Sequence, residues 1–184
     1  MQHNFNIITI DPGINHLGLS VCEIDFQNKE VIKTFSTTLH VKEKNLNKRN
    51  IELYGLRQCK IDYLNEILIK YIEKYKPITV VVESPFYNMR RPAAFLPLIE
   101  LLYQIRMTIR EFENINYVSY EPSLIKKTVG ASAICKKDEV KKYVLINKDF
   151  FKLEKEINIE DLDEHAIDSL AILYTHFQKV IKNL

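Results

Sequence analysis

The sequence predicts an α/β fold, in which one β-sheet is covered by helices. The first observation is a group of three early segments, rich in β-branched and apolar residues, that are joined by short polar connections. The second is the alternation of long amphipathic segments with short apolar runs in the rest of the chain. The resulting order, β-β-β-α-β-α-β-α-α-α, is typical of a sheet with helices packed against it.

The first three strands are predicted at the beginning of the chain. Residues 5–10 form the first, which ends at the strong turn signal Asp-Pro-Gly of residues 11–13. Residues 17–24 alternate between apolar and polar side chains, and residues 31–41 form the third strand. Their short connections predict an antiparallel meander. The basic, polar stretch at 42–50 is predicted as an exposed loop or the entry to a helix.

The middle of the chain is predicted to alternate between helix and strand. In residues 51–75 the apolar positions recur at spacings of three, four and seven, which predicts one long helix that Pro77 ends. Residues 78–82 are apolar on both faces, as a central parallel strand is. A second amphipathic helix follows at 93–112, and a fifth strand at 115–120.

The last third of the chain is predicted to be helical. A short helix covers residues 122–129, a loop 130–135, another helix 137–146, and a closing helix 161–183. The sequence contains no internal repeat, low-complexity tract or linker composition. Residues 1–184 are therefore predicted to form a single domain.

Composition excludes several classes of protein. With 46% hydrophobic and 27% charged residues the chain is not expected to be disordered, and no apolar run approaches the roughly 20 residues that span a bilayer. The N-terminal residues lack the pattern of a secretory signal, which predicts a cytoplasmic protein with no membrane partner. A net charge of +2 does not by itself identify a nucleic-acid partner. Three widely spaced cysteines without a CxxC pair predict reduced, buried thiols.

Two acidic residues end apolar strands. Asp11 follows the first strand and Glu83 follows the fourth, and if these strands are adjacent and parallel the carboxylates lie about 5 Å apart. Such a pair repels unless one carboxyl keeps a proton or a cation lies between them. The alternatives are that Asp11 only starts the turn, and that Glu83 pairs with Arg90 or Arg91.

A second pair of candidate ligands lies on the closing helix. His165 and Asp168 are three residues apart and therefore share one helical face. An imidazole nitrogen and a carboxylate oxygen placed there can bind one metal ion. Asp163 and Glu164 are expected to point away from that face. The alternative is an acidic first turn that complements the helix dipole, with His165 partly exposed. This alternative explains Asp168 less well, because Asp168 lies on a helical face that is expected to be buried.

Four segments of the chain resemble the RuvC-type Holliday-junction resolvases of the RNase H-like superfamily. The segments are Ile-Thr-Ile-Asp-Pro-Gly at 8–13 with Gly18, Val-Val-Val-Glu at 80–83 with Phe86, residues 124–130 followed by 136–140, and His-Ala-Ile-Asp-Ser-Leu-Ala at 165–171. An Asp-Pro-Gly turn alone is a weak signal. The Lys-Lys-Thr-Val-Gly and Asp-Ser-Leu-Ala stretches are more specific, and the ordered set covers nearly the whole chain.

The resemblance implies an RNase H-like fold with a five-stranded mixed sheet, a homodimer, and a metal-dependent endonuclease. The implied substrate is a four-way DNA junction, cut by paired symmetric nicks that leave 5′-phosphate and 3′-hydroxyl ends. The implied catalytic and metal-binding residues are Asp11, Glu83, His165 and Asp168. Two Mg²⁺ or Mn²⁺ ions, about 3.5–4 Å apart, are expected at this site. Many members carry Asp where this chain has His165, and imidazole favours transition metals over Mg²⁺.

Basic and aromatic residues near these segments are candidates for binding DNA. The predicted DNA-binding residues are Phe86, Tyr87, Arg90, Arg91, Lys126, Lys127, Lys136 and Lys137. Lysines and an arginine in the stretch 42–49 are further candidates. An aromatic ring after the fourth strand can stack on an unpaired base, although core packing is the alternative for Phe86. For Lys141 and Lys142 the alternative is a solvated basic helix face.

The helix at 93–112 has apolar positions on more than one face. One face can cover the sheet while another meets a second subunit, and the resemblance places the dimer interface here, with Phe95, Leu98, Leu102 and Ile105. A two-fold symmetric dimer suits a junction in which both strands are cut. The alternative is a helix buried on both sides.

Two other functions remain open from the sequence. An RNase H-like nuclease could act on flaps, branched replication intermediates or structured RNA, and a binding module could keep the fold without catalysis. Loss of an acidic ligand would mark the binding module, whereas all four positions here carry metal-binding side chains. A Rossmann nucleotide-binding protein is disfavoured because no GxGxxG follows the first strand.

Overall fold

A five-stranded mixed sheet forms the centre of the molecule. The computed structural model describes residues 4–87, 89, 92–132 and 137–183, with only the backbone of 137 and 138. The strands are β1 (Asn4–Asp11), β2 (His16–Asp25), β3 (Glu30–His40), β4 (Thr79–Glu83) and β5 (Asn116–Tyr120). Their order is β3-β2-β1-β4-β5. The first three are antiparallel, whereas β4 is parallel to both β1 and β5, so the predicted mixed sheet is confirmed.

Seven α-helices accompany the strands in the described part of the chain. They are α1 (Lys48–Tyr54), α2 (Leu56–Tyr75), α3 (Phe95–Arg110), α4 (Pro122–Val129), α5 (Lys137–Ile146), α6 (Lys148–Phe151) and α7 (Glu164–Lys179). None of these helices combines the length and the apolar character needed to cross a membrane.

The helices differ from the prediction in several places. The single helix predicted at 51–75 is interrupted at Gly55, whose φ of +83° lies outside the helical region. The closing helix begins at Glu164 rather than at residue 161, because Asp163 caps it and residues 159–161 form a separate 3₁₀ turn. The short helix α6 is not predicted by the apolar periodicity.

The sheet separates two hydrophobic cores. On one face α2 and α3 pack against the sheet, and on the other α4, α5 and α7 do so. Strand β4 contributes side chains to both cores. Val80 and Val82 pack in the core with α2 and α3, Val81 packs in the core with α4, α5 and α7, and all three are completely buried. This alternation explains why the segment is apolar at consecutive positions and confirms its prediction as a central strand.

Candidate active site

Two carboxylates end neighbouring strands at the same edge of the sheet. Asp11 is the last residue of β1 and Glu83 the last residue of β4. The two strands run parallel with Ile10 opposite Val82, so the backbone positions that follow, Asp11 and Glu83, lie side by side. The expected adjacency of the two strands is therefore confirmed. Both residues are only partly exposed, with 14% of the Asp11 side chain accessible.

His165 contacts Asp11 from the helix above the sheet. Its Nδ1 lies 2.8 Å from Oδ2 of Asp11, and 21% of the imidazole is exposed. An ionised carboxylate only accepts hydrogen bonds, so Nδ1 is the donor in this pair. The other ring nitrogen, Nε2, lies 3.6 Å from the Glu164 carboxylate, which differs from the expectation that Glu164 points away.

The N-terminus of α7 is fixed by Asp163. Its Oδ1 accepts hydrogen bonds from the backbone N–H groups of His165 and Ala166, as a helix cap does, and from the hydroxyl of Thr38 on β3. Partial burial disfavours the ionised carboxylate, but these hydrogen bonds and the nearby imidazoles of His165 and His40 outweigh it and lower the pKa of Asp163. Asp163 is thus a structural anchor for the helix that carries His165.

A glycine lets α7 approach the sheet closely. Gly18 on β2 pairs with Asp11 on β1, and a Cβ at Gly18 would overlap with the backbone carbonyl oxygen of His165. Such a Cβ would also lie 3.2 Å from Cβ of Asp11. Glycine is therefore required here by the close approach of the helix and not by its own backbone angles.

Small polar side chains continue this close packing along α7. The hydroxyl of Ser20 lies 2.6 Å from that of Ser169 and donates to that of Ser36 at 2.9 Å. The hydroxyl of Thr9 donates to the Ser169 carbonyl at 2.8 Å. All four residues are buried, so their hydroxyls form hydrogen bonds with one another and with backbone carbonyls instead of with water. The small side chains after Asp168 allow the close packing that the sequence predicts.

The four predicted ligands come from the last residues of β1 and β4 and from the first turns of α7. Asp168 lies one helical turn after His165 on α7 and is partly buried, and α7 packs against β2, β1, β3 and β4. Among the described residues, no cluster of three or more His, Cys, Asp or Glu side chains is arranged to hold a metal ion. The structure brings Asp11 and His165 into direct contact and places Glu83 beside Asp11 by register.

Two further histidines surround this contact and are not among the predicted site residues. His16 and His40 face each other at the ends of β2 and β3, with their Nδ1 atoms 2.9 Å apart. The ring of His16 also stacks on that of His165, with centroids 5.5 Å apart. Their position at the ends of predicted strands, with His16 only five residues after Asp11, is a signal that could have identified them.

Comparison with known proteins identifies the family. A family model for crossover junction endodeoxyribonuclease RuvC matches residues 7–176. The chain belongs to the RuvC family of crossover junction endodeoxyribonucleases. As a member of this family it is an endodeoxyribonuclease, and the resemblance noted in the sequence is confirmed.

Relatives of similar length support this assignment to the RuvC family. The chain is 26% identical to RuvC of Ehrlichia canis (strain Jake) over 176 residues, covering 93% of this chain and 95% of the relative. It is 28% identical to RuvC of Prochlorococcus marinus (strain MIT 9312) over 169 residues, covering 92% of this chain and 94% of the relative. The structure of T. thermophilus RuvC in complex with Holliday junction substrate shares the fold, with a TM-score of 0.65, 18% identity and coverage of 93% and 92%.

The predicted DNA-binding residues of this RuvC-family chain are only partly described. Phe86 is 65% exposed, so the alternative of core packing is wrong for it. Tyr87 is also exposed, with its ring 5.3 Å from that of Phe95 in an edge-to-face arrangement. Lys126 and Lys127 lie in the last turn of α4. The predictions for Arg90, Arg91 and Lys136, and for the side chain of Lys137, fall outside the described residues.

The dimer interface on α3 stays a prediction, and its four residues differ in burial. Leu102 and Ile105 are buried in the core between α3 and the sheet. Phe95 and Leu98 are partly exposed. The most exposed apolar side chains of α3 are instead Leu96 and Tyr103, which are seven residues apart and share one face. Periodicity shows two apolar faces on this helix but not which one covers the sheet.

Proposed function

We propose that this RuvC-family chain is a metal-dependent endonuclease that resolves four-way DNA junctions by paired, symmetric nicks. The observation that carries the proposal is the 2.8 Å contact between Asp11 and His165 beside Glu83, at the end of the central strands. Functional sites of α/β sheets lie at the carboxyl ends of strands. The likeness to RuvC nucleases over more than nine-tenths of the chain supports junction DNA as the substrate.

The donor set fits hard or borderline divalent cations. Asp11, Glu83 and Asp168 offer carboxylate oxygens and His165 an imidazole nitrogen, from backbone positions at one end of the sheet. Two bound Mg²⁺ or Mn²⁺ ions would activate a water molecule and stabilise the charge that develops on the scissile phosphate and its leaving oxygen. Without cations, three carboxylates at one edge would repel the phosphate backbone of DNA. The products would carry 5′-phosphate and 3′-hydroxyl ends.

Side chains after β4 and in the last turn of α4 are proposed to hold the junction. Phe86 follows Glu83 closely and is exposed, so its ring can stack on an unpaired base at the junction centre. Lys126 and Lys127 are proposed to contact phosphates. The exposed face of α3, with Leu96 and Tyr103, is proposed as the homodimer interface. Two copies related by a two-fold axis would then each cut one of two strands of the junction. The proposed location of this activity is the cytoplasm.

Cleavage of a labelled synthetic four-way junction tests this function. The wild-type chain is compared with Glu83→Gln and Asp168→Asn, in Mg²⁺ and in Mn²⁺, with linear duplex and flap DNA as substrate controls. These substitutions keep the size of each side chain and remove its charge. We expect symmetric nicks that both variants lose while junction binding remains.

Other outcomes of this experiment would change the assignment. Equal cutting of flap and duplex DNA would indicate a nuclease without junction selectivity. Tight junction binding with no cutting in either metal would indicate a binding module. Full activity of Asp168→Asn would remove that carboxylate from the proposed ligand set.

A further inference from the structure

Three histidines form a connected layer over the candidate active site. The imidazole of His16 is parallel to that of His165 within 22° and lies against its face. His16 is in turn held by the Nδ1–Nδ1 contact of 2.9 Å with His40, to which its ring is edge-on. The two residues are direct cross-strand neighbours, so the antiparallel pairing of β2 and β3 brings their side chains together.

His40 also contacts Asp163, the residue that caps the N-terminus of α7. Nε2 of His40 lies 3.6 Å from Oδ2 of Asp163, the oxygen that does not bind the helix amides. Asp163 caps the helix that carries His165, and His165 stacks on His16. The ends of β2 and β3 are thereby linked to both the backbone and the ring of His165.

We propose that His16 and His40 are positioning residues that hold the imidazole of His165 in the orientation in which its Nδ1 faces Asp11. This inference rests on the proposed function only in taking His165 as part of the active site. It concerns two residues to which neither the family resemblance nor the relatives assign a role.

The ring of His165 needs such support because of where it lies. It stands in the first turn of α7, and its two nitrogens, at the edge of the ring, contact the carboxylates of Asp11 and Glu164. Which nitrogen faces Asp11 depends on the χ angles of the side chain, and a ring packed against a face of the imidazole restricts them. The His16 ring occupies one face of the imidazole, and His40 prevents His16 from moving away. Small displacements of a reacting group lower rates strongly, so this support matters for catalysis.

The two histidines contribute little to the hydrophobic cores. His16 and His40 are exposed and belong to neither core. Substitutions of exposed residues outside the cores change the free energy of unfolding only slightly. We therefore expect variants at these positions to fold, which makes their effect on His165 measurable.

Nuclear magnetic resonance of the imidazole nitrogens tests the proposal in the metal-free full chain. Neutral histidine in water prefers the tautomer with the proton on Nε2, whereas the Asp11 contact requires it on Nδ1. In the wild type, at a pH where the ring is neutral, we expect the Nδ1–H form of His165. In His16→Ala we expect a mixture dominated by Nε2–H, and in His40→Ala a smaller change. His16→Phe keeps a flat ring for stacking and should restore the Nδ1–H form.

The neighbouring variant Asn15→Ala is the matched control. It removes the hydrogen bond that Lys60 donates to Asn15 but leaves the histidine layer intact, and should show the wild-type tautomer. An unchanged His165 tautomer in His16→Ala would overturn the proposal. So would a failure of His16→Phe to restore it, because the effect would then not come from stacking.

Junction cleavage supplies the second measurement. Misplacement of His165 should lower kcat of His16→Ala by roughly tenfold, with KM for the junction unchanged and most of the loss recovered in His16→Phe. A change confined to KM would make His16 a DNA-binding residue and would contradict positioning. A wild-type chain that cuts no junction would refute the proposed function, yet the tautomer measurement would still decide whether His16 orients His165.

Discussion

At the scale of single residues, the imidazole of His165 distinguishes this site from one built of carboxylates alone. Imidazole nitrogen binds transition metals better than Mg²⁺. We therefore predict that junction cleavage in Mn²⁺ is at least as fast as in Mg²⁺, and that His165→Asp lowers the Mn²⁺ to Mg²⁺ rate ratio by several-fold. The rates are compared over matched metal titrations. A wild-type chain clearly faster in Mg²⁺ would contradict this prediction.

Gly18 is the residue at which a single methyl group should have the largest effect on the site. In Gly18→Ala the new Cβ meets the backbone carbonyl of His165, so α7 must move away from β2. We expect a loss of about 1–3 kcal/mol in the free energy of unfolding, together with loss of junction cleavage. Chemical unfolding and cleavage assays measure the two effects.

Gly55→Ala is the control for Gly18→Ala. Gly55 has open space around its missing Cβ, but its φ of +83° strains any other residue. We expect a loss of about 1–3 kcal/mol with cleavage retained. Equal loss of cleavage in both variants would show that stability alone, and not displacement of His165, explains the result.

The sequence predicts ligand types more readily than the residues that support them. Asp11 and Glu83 can be identified because an acid that ends an apolar strand requires an explanation. The sequence is compatible with Lys141 as a phosphate contact or as part of a solvated helix face. In the structure its ammonium donates to the carbonyls of Glu160 and Leu162, in the turn before α7. Such a contact depends on how two distant segments pack, which local sequence does not encode.

At the scale of elements, α7 contains a buried histidine that should make the fold sensitive to acid. Nδ1 of His176 lies 3.0 Å from the hydroxyl of Tyr120 at the end of β5. Burial lowers the pKa of His176 from 6.5 to about 4. Below pH 6.5 His176 is therefore protonated in the unfolded chain but still neutral in the folded chain. The free energy of unfolding decreases as the pH is lowered from 6.5 to about 4. The full contribution is about 3 kcal/mol.

Two variants separate the charge of His176 from its hydrogen bond. His176→Gln does not titrate, so we predict a flatter dependence of the free energy of unfolding on pH between 6.5 and 4. Tyr120→Phe loses the hydrogen bond but keeps the imidazole, so it should be less stable at every pH with the wild-type slope. Urea unfolding across this range measures both. A wild-type slope in His176→Gln would assign the acid sensitivity to other groups.

Helix boundaries follow from caps that the apolar pattern does not reveal. The periodicity of residues 51–75 is continuous across Gly55, yet the backbone at this glycine leaves the helical region and divides α1 from α2. In the same way, Asp163 caps α7 through its contacts with two amides, so the helix begins at Glu164, three residues later than predicted. A cap requires a particular backbone conformation, so an acidic stretch alone does not identify which residue begins the helix.

At the scale of the whole molecule, the sheet could be predicted because its central strands are buried on both faces. The continuous apolar run of β4 is typical of a strand between two layers of helices, where the structure places it. The position of β4 beside β1 then brings Asp11 and Glu83 to one edge. Which face of α3 remains free could not be predicted, since both of its faces are apolar.

The exposed face of α3 should decide whether both strands of a junction are cut. We predict a wild-type dimer in sedimentation analysis, and a monomer for the double variant Leu96→Glu/Tyr103→Glu, because two charges per subunit would be buried in the interface. A monomer has one active site, so junctions should accumulate with a single nick. Ile146→Glu places the same charge on an exposed apolar position of α5 and should leave a dimer with paired nicks. A double variant that still dimerises would place the interface elsewhere on the molecule.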